Sequence, residues 1–131
     1  MLQKNVLMID SIPHDWIFPR VSAVIHHGGA GVTAAALRAG VPSMAVPHFA
    51  DQFLWGERIT ELGAGPPMIP RHRLTSTNLA LAIQSLVHNR EIRQTAAELG
   101  EKIRSENGVS HAVEFFETWV KSQEKESLNF A

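Results

Sequence analysis

Short apolar runs and segments of helical periodicity alternate along the first half of the chain. The apolar runs are Asn5–Ile9, Val21–His26 and Ser43–Val46. Each run is almost continuously apolar and is bounded by turn residues. This pattern is typical of strands that are buried on both faces of a parallel sheet. We therefore predict three strands, with one helical turn over residues 14–18 between the first two.

Two helices are predicted to follow the second and third strands. The first spans residues 31–39, and Gly40 after it suits the left-handed position at which helices end. The second spans residues 51–62 and begins at Asp51, an acidic residue that favours a helix N-terminus, with Gly63 after its end. The order strand, helix, strand, helix follows.

The last third of the chain predicts three further helices. Ser76 or Thr77 caps the first, Asn89 caps the second, and the third spans residues 108–121. Apolar residues recur at helical spacing in each helix, so we expect these residues to pack in the core. The aromatic residues of the third helix are Phe115, Phe116 and Trp119. We expect them to pack as well, with a domain interface as the alternative.

Composition fits one globular domain. A length of 131 residues fits a single domain, and 44% hydrophobic with 19% charged residues argues against disorder. The formal net charge of -1 gives no general attraction to nucleic acid. The absence of cysteine excludes disulfides and fits a reducing compartment. No apolar run approaches the ~18 residues of a membrane span, and no signal-peptide pattern is present. We expect a cytoplasmic protein.

The predicted order of elements indicates an α/β fold with a Rossmann-like parallel sheet and flanking helices. Ligands of such sheets bind beyond the carboxyl ends of the strands. The turns over residues 10–15, 27–33 and 47–52 fall there and are expected to converge on one cleft. Three strands are too few for a complete doubly wound sheet. We therefore predict a half-domain truncated at its N-terminus over residues 1–122, with a frayed polar tail over 123–131.

The segment from His26 to Thr33 carries the clearest sign of a ligand site. It contains three glycines and lies between a predicted strand and a predicted helix. Unpaired amides and the positive end of the helix dipole favour an anion there, and glycine lets a phosphate approach closely. Glycine-rich turns also serve packing alone, and the segment matches neither the P-loop pattern nor GxGxxG. The residues by themselves leave both interpretations open.

Four motifs follow one another at a specific spacing: Pro13–Phe18, His26–Gly31, Arg38–Pro42 and Asp51–Gly56. Together they resemble the donor-binding signature of UDP-dependent glycosyltransferases with the GT-B fold, in particular the sterol 3β-glucosyltransferase-like group of family 1. The resemblance covers about residues 5–122. It implies that the chain is the C-terminal, donor-binding part of such an enzyme.

The resemblance also implies roles for individual residues. The donor diphosphate would be bound by His27, Gly29, Ala30, Gly31, Val32 and Thr33. The hydroxyl groups of the donor sugar would be bound by Asp51 and Gln52, and the nucleoside would lie near Ser11, Ile12, Pro13 and His14. Negative charge grows on the leaving diphosphate during glycosyl transfer, and preorganised amides stabilise such charge.

Each of these residues also has a structural interpretation. Asp51 could only cap its helix, and His26 could lie on the opposite face of its strand with a structural role. Trp16 and Phe18 are more readily explained by core packing than by stacking on uracil, and Trp55 by packing or a domain interface. Histidines are frequent, but none of the spacings typical of zinc ligands is present, so we expect no metal and no cofactor.

The sequence departs from the family pattern in three respects. Val32 stands where the family commonly has threonine or serine, which removes a hydroxyl contact. His48-Phe49-Ala50 stands where the family commonly has Phe-Phe-Gly. The N-terminal domain, which in the family binds the acceptor and supplies a histidine general base, does not occur in this sequence, so we assign no catalytic residue.

Two functions follow from the resemblance. The chain is expected to bind a UDP-sugar, with glucose favoured, as part of an inverting hexosyltransferase that acts on a sterol or another lipophilic acceptor through the missing domain. The alternative is a non-catalytic fragment, or a donor-binding subunit that needs a separate acceptor-domain protein or forms a homo-oligomer. The full-length enzyme could associate peripherally with membranes.

Overall fold

The computed structural model describes residues 5–129, with side chains described up to residue 123. In this part of the chain, two strands and six α-helices occur in the order α1 (His14–Ile17), β1 (Val24–His26), α2 (Ala30–Ala39), β2 (Ser43–Ala45), α3 (Gln52–Glu61), α4 (Ser76–His88), α5 (Arg90–Ser105) and α6 (Gly108–Asn129). Turns of 3-10 helix follow α1 at Phe18–Arg20 and precede α4 at Arg71–Arg73.

The two strands are parallel neighbours, as the sequence predicts. Val24 pairs with Ser43, Ile25 with Met44, and His26 with Ala45. The crossover between them is α2, which ends at Gly40 in the left-handed conformation with φ 72°. Both strands are shorter than predicted, because only three residues of each make the regular ladder. One further bond, from Val46 N–H to the His26 carbonyl at 2.7 Å, continues the pairing toward the carboxyl edge.

Helices cover both faces of β2. Ala45 packs with Leu37 of α2 and Ile59 of α3 on one face. Met44 and Val46 pack on the other face with residues of α4, Ala82 and Leu86. Alternation of side chains along a strand produces these two layers. The predicted Rossmann-like arrangement is therefore present, although the sheet of the described residues has only two strands.

The predicted strand over residues 5–9 is wrong, because the described chain has no strand there. The apolar side chains of this segment lie at the surface, with exposed fractions of 52% for Val6 and 85% for Leu7. A strand that is apolar on both faces needs a strand neighbour and packed helices to cover it. Neither covers this segment in the described structure, so the apolar run forms no regular secondary structure.

The helix boundaries in the last third correct several predictions. Thr75, rather than Ser76 or Thr77, caps α4: its hydroxyl accepts the Asn78 N–H, and the Asn78 side chain accepts the Thr75 N–H. This reciprocal pair forms a capping box one residue earlier than predicted. Asn89 caps α5 as predicted, because its side chain accepts the amides of Glu91 and Ile92.

The last helix is longer and more exposed than the sequence suggests. It continues to Asn129, past the predicted end at residue 121, while Phe130 and Ala131 lie outside the described residues. The polar tail over 123–131 as a separate segment stays a prediction. The prediction that its aromatic residues pack in the core is wrong, since Phe115, Phe116 and Trp119 are 76%, 62% and 52% exposed. In the described residues no helix is long and apolar enough to cross a membrane.

The proline-rich segment 66–70 contains no regular strand but lies along β2. Ile69 N–H donates to the Ala45 carbonyl at 3.1 Å, and Arg71 N–H donates to the Pro47 carbonyl at 3.0 Å. These two bonds tie the segment to the outer edge of β2. Proline removes the donors that a complete ladder would need.

Candidate functional site at the carboxyl edge of the sheet

Two turns meet where β1 and β2 end. The first runs from His26 to Gly29 and enters α2, and the second runs from Pro47 to Asp51 and enters α3. They touch at Gly28, where a Cβ atom would lie 2.7 Å from the Gln52 carbonyl oxygen. Gly28 also has φ +89°, a conformation that favours glycine. Both the close contact and the positive φ therefore favour glycine over any other residue at position 28. The absence of a side chain there lets the two turns lie in contact.

The N-terminus of α2 offers backbone donors. Gly29 is the N-cap residue, and no side chain caps the helix within the described chain. The amide of Thr33 makes the first helical bond, to the Gly29 carbonyl at 3.0 Å. The amides of Ala30, Gly31 and Val32 precede it and have no intrahelical acceptor. A Cβ at Gly31 would meet nothing within 4 Å, so an anion has open space to approach.

His26, the last residue of β1, carries a buried ring nitrogen that has no partner in the described structure. It shares a face of the sheet with its partner Ala45, on the α2 side, and its Nδ1 accepts the Gly28 N–H at 3.0 Å. Its Nε2 is buried and has no hydrogen-bond partner among the described residues. Because Nδ1 is an acceptor, the proton of the neutral ring lies on Nε2. Position 26 therefore presents an unsatisfied N–H group.

The His26 ring remains neutral near pH 7. Burial of the ring, followed by the charges of His27 and His14, lowers the pKa of His26 from 6.5 to about 4. The structural role that the sequence left open for His26 is confirmed by its bond with the Gly28 amide, and a contact with a ligand stays a prediction. The missed signal is its place as the last strand residue, two positions before a glycine whose amide the ring can accept.

His27 lies at the mouth of the same turn. Its side chain is exposed, and its Nε2 occupies the space that a Cβ on Gly29 would need. The ring therefore covers the N-cap residue of α2. This position agrees with the predicted proximity of His27 to a ligand at the helix start, and the contact itself remains a prediction.

The structure does not bring Thr33 to this surface. Its side chain is fully buried, its hydroxyl has no partner among the described residues, and its amide bonds Gly29. Val32 is half-buried and packs against the cluster of Phe18 and Val24. The accessible part of the predicted diphosphate site is therefore the backbone of residues 29–32.

The second turn presents a carboxylate. Asp51 is exposed at the N-cap position of α3, but its side chain makes no cap hydrogen bond. The interpretation of Asp51 as only a helix cap is therefore not supported. Gln52 is buried, and its Oε1 accepts the amides of His48 at 2.8 Å and Phe49 at 3.3 Å. Ala50, which lies between Phe49 and Asp51 in this turn, has a positive φ of 53°.

The segment before α1 borders the first turn. His14 is exposed and stacks on Phe18 with ring centroids 4.7 Å apart. Its charge contributes to lowering the pKa of His26, which places it near the strand end. The other predicted nucleoside neighbours are the exposed Ser11 and Pro13 and the half-buried Ile12. Within residues 5–123, no group of three or more histidine or carboxylate side chains could hold a metal ion.

Two predictions about aromatic residues have different outcomes. Phe18 is buried at 7% exposure, so its predicted core packing is confirmed. Trp16 is 51% exposed, with the Arg20 guanidinium 4.6 Å from its ring centroid, so its predicted core packing is wrong. Trp55 on α3 is half-buried.

Comparison with protein families gives one match over most of the chain. The model of the erythromycin biosynthesis protein CIII-like C-terminal domain matches residues 1–115. The match includes both turns of the candidate site.

Curated relatives are longer proteins. A sterol 3-beta-glucosyltransferase of Arabidopsis thaliana is 46% identical over 113 residues, which are 86% of this chain and 18% of that protein. A sterol 3-beta-glucosyltransferase of Yarrowia lipolytica is 44% identical over 113 residues, 86% of this chain and 8% of that protein. The chain thus spans less than a fifth of the length of these relatives.

Solved structures resemble most of the chain. The glycosyltransferase VinC, in complex with dTDP, has a TM-score of 0.73 and 28% identity over 80% of this chain and 26% of its own. The glycosyltransferase of kitacinnamycin has a TM-score of 0.82 over 90% of this chain and 30% of its own, at 24% identity. These likenesses confirm the predicted fold, a Rossmann-like C-terminal half-domain of a GT-B glycosyltransferase.

Proposed function

Since the chain belongs to the family of EryCIII-like C-terminal domains of glycosyltransferases, we propose that it binds UDP-glucose as the donor-binding part of an inverting hexosyltransferase. The acceptor is a sterol or another lipophilic alcohol, held by a domain outside this sequence. The sterol glucosyltransferases among its relatives support the donor sugar and the acceptor class. The bound dTDP of VinC supports a nucleoside diphosphate ligand.

The observation that carries this proposal is the meeting of two unlike turns at one edge of the sheet. The first turn offers the amides of residues 30–32 and the buried Nε2–H of His26 to an anion. The second turn offers the exposed Asp51 carboxylate, which accepts hydrogen bonds from hydroxyl groups. A nucleoside diphosphate joined to a sugar has both groups, and Gly28 holds the two turns in contact.

The chain's own residues act on the diphosphate without adding a full charge. Neutral His26 donates one hydrogen bond, and the amides of α2 donate others at the positive end of the helix dipole. Such donors stabilise the charge that grows on the diphosphate as the glycosyl bond breaks. The amides need no metal for this, so we propose a metal-independent donor site. No residue of this sequence is assigned the role of general base.

Calorimetric titration with UDP and with UDP-glucose tests the proposal. We expect His26→Asn and His27→Ala to weaken the binding of both ligands about tenfold, since His27→Ala removes a donor and the shorter asparagine withdraws the donor of His26 from its place. Asp51→Ala should weaken UDP-glucose about tenfold and leave UDP unchanged. His111→Ala on α6 and Glu57→Ala on α3 are the matched controls. A folded wild-type chain that binds neither ligand would exclude the proposal.

A second candidate is a donor-binding subunit that is completed by a separate acceptor-domain protein or a second copy of the chain. The exposed apolar side chains of residues 6–9 and of α6 favour it, because surfaces of this kind commonly mark interfaces. Glucoside formation only after an acceptor-domain protein is added would support it. Turnover by the purified chain alone would count against it. A clean monomer in sedimentation velocity would count against completion by a second copy of the chain.

A further inference from the structure

The Gln52 side chain is already committed to the protein through one of its two polar groups. Two backbone donors, His48 N–H and Phe49 N–H, converge on the same atom, which identifies that atom as the carbonyl oxygen Oε1. Two bonds use both of its lone pairs. The side chain is only 8% exposed, and with Oε1 in use its amide N–H donors are the only polar groups that it has left.

The bonds to Oε1 close the turn that precedes α3. Gln52 N–H donates to the Phe49 carbonyl at 3.3 Å, so backbone and side chain of one residue grip the same turn. Inside that grip, Ala50 adopts φ 53°. A residue with a Cβ atom is unfavourable in this region and persists there only when its surroundings hold it. The hydrogen bonds of Gln52 are the surroundings that hold Ala50.

Asp51 depends on this turn for its direction. It follows Ala50 directly, and its carboxylate makes no bond to the helix that could fix it independently. If the turn opened, the peptide before Asp51 would relax toward negative φ and the carboxylate would swing with it. The direction of Asp51 is therefore set by the side chain of its neighbour.

We propose that Gln52 is a positioning residue, which holds the turn that carries the Asp51 carboxylate by accepting hydrogen bonds from the amides of His48 and Phe49. The inference rests on the proposed function, because that function gives Asp51 its contact with the donor sugar. According to this proposal, the preference for UDP-glucose over UDP depends on the hydrogen bonds of Gln52 to the protein backbone.

The test compares two replacements of Gln52 in the full chain. Gln52→Leu removes the acceptor, and Gln52→Glu keeps an oxygen acceptor while removing the amide donors. We expect Gln52→Leu to lower the affinity for UDP-glucose relative to UDP about tenfold, and Gln52→Glu to retain the wild-type ratio. Amide hydrogen exchange should accelerate at His48 and Phe49 in Gln52→Leu alone, which reports the turn without any ligand.

A double-mutant cycle with Asp51→Ala separates positioning from direct contact. A residue that acts through Asp51 has no further effect on the ratio once Asp51 is alanine, whereas an independent sugar contact adds its own loss. An added loss, or equal losses in Gln52→Glu and Gln52→Leu, would overturn the inference. If Asp51→Ala leaves the wild-type ratio unchanged, the proposed sugar contact is itself wrong and the positioning role falls with it.

Discussion

The two turns at the carboxyl edge perform the same structural task with different means. Each leads from a parallel strand into a helix, and each contains a residue with positive φ: Gly28 in the first and Ala50 in the second. In the first turn, glycine adopts that conformation without strain. In the second, hydrogen bonds to Gln52 hold an alanine in it.

The difference decides which groups each turn leaves free. The first turn leads into α2 without a side-chain cap, so the amides of residues 30–32 at the start of α2 have no capping partner, and Nε2 of His26 has none either. These free donors suit an anion. The second turn uses the amides of His48, Phe49 and Gln52 internally, so its free group is a carboxylate. A donor-rich turn beside an acceptor-bearing turn matches a ligand with a phosphate end and a hydroxyl end.

Replacing Gly28 by alanine should have the largest effect, because it breaks the contact between the turns. The new Cβ would lie 2.7 Å from the Gln52 carbonyl oxygen at φ +89°. The left-handed strain and the steric overlap together should cost about 3 kcal/mol of unfolding free energy. Urea denaturation measures this loss. Gly31→Ala, whose Cβ meets no neighbour, is the matched control, and equal stabilities of the two variants would contradict the account.

The protonation of His26 should make the first turn sensitive to acid. The folded pKa is about 4 and the unfolded value 6.5, so between these values the unfolded chain binds more protons. The contribution of His26 to the free energy of unfolding is therefore fully present above about pH 6.5 and decreases as the pH falls toward about 4. Below about pH 4 this group causes no further loss. The loss is at most about 3 kcal/mol.

Urea midpoints measured from pH 7 to pH 4 test this prediction against His26→Asn. Asparagine does not titrate, and its side-chain oxygen can still accept the Gly28 amide. The variant should lose part of the acid-induced destabilisation that the wild type shows, whereas His111→Asn on the exposed α6 should keep it. Parallel pH curves for the wild type and His26→Asn would show that burial of this ring does not govern acid stability.

The sequence predicted those features of the two turns that depend on neighbouring residues. It did not predict those that depend on distant residues or on the direction of a side chain. The strand-to-helix order around Gly28 depends on local pattern and was predictable, as was the end of α2 at Gly40. The strand over residues 5–9 was wrong, because its pairing depends on neighbours that the described structure does not provide. The orphaned Nε2 of His26 and the bonds to Gln52 Oε1 depend on side-chain direction, which a pattern of residue types does not determine.

Gly31→Ala should separate ligand approach from folding. The structure leaves open space at this position, where a phosphate would meet the α2 amides. A methyl group there should weaken UDP and UDP-glucose alike, by about tenfold or 1.4 kcal/mol, while the fold keeps its stability. Calorimetry against both ligands measures the effect. Unchanged affinity for UDP would place the diphosphate away from this helix start.

Ala50→Gly should have the smallest effect, and its sign distinguishes the two turns. Glycine removes the penalty of a Cβ at φ 53°, which is partly offset by the greater entropy of glycine in the unfolded chain, so we expect a gain of about 1 kcal/mol. Ala80→Gly, at an exposed position inside α4, should instead lose about 1 kcal/mol. Both are measured by urea denaturation. Glycine would also make the second turn less dependent on the hydrogen bonds to Gln52. The variant should therefore be more stable but bind UDP-glucose no more tightly than the wild type. A destabilised Ala50→Gly would mean that the alanine is not strained, and that the second turn does not depend on the grip of Gln52.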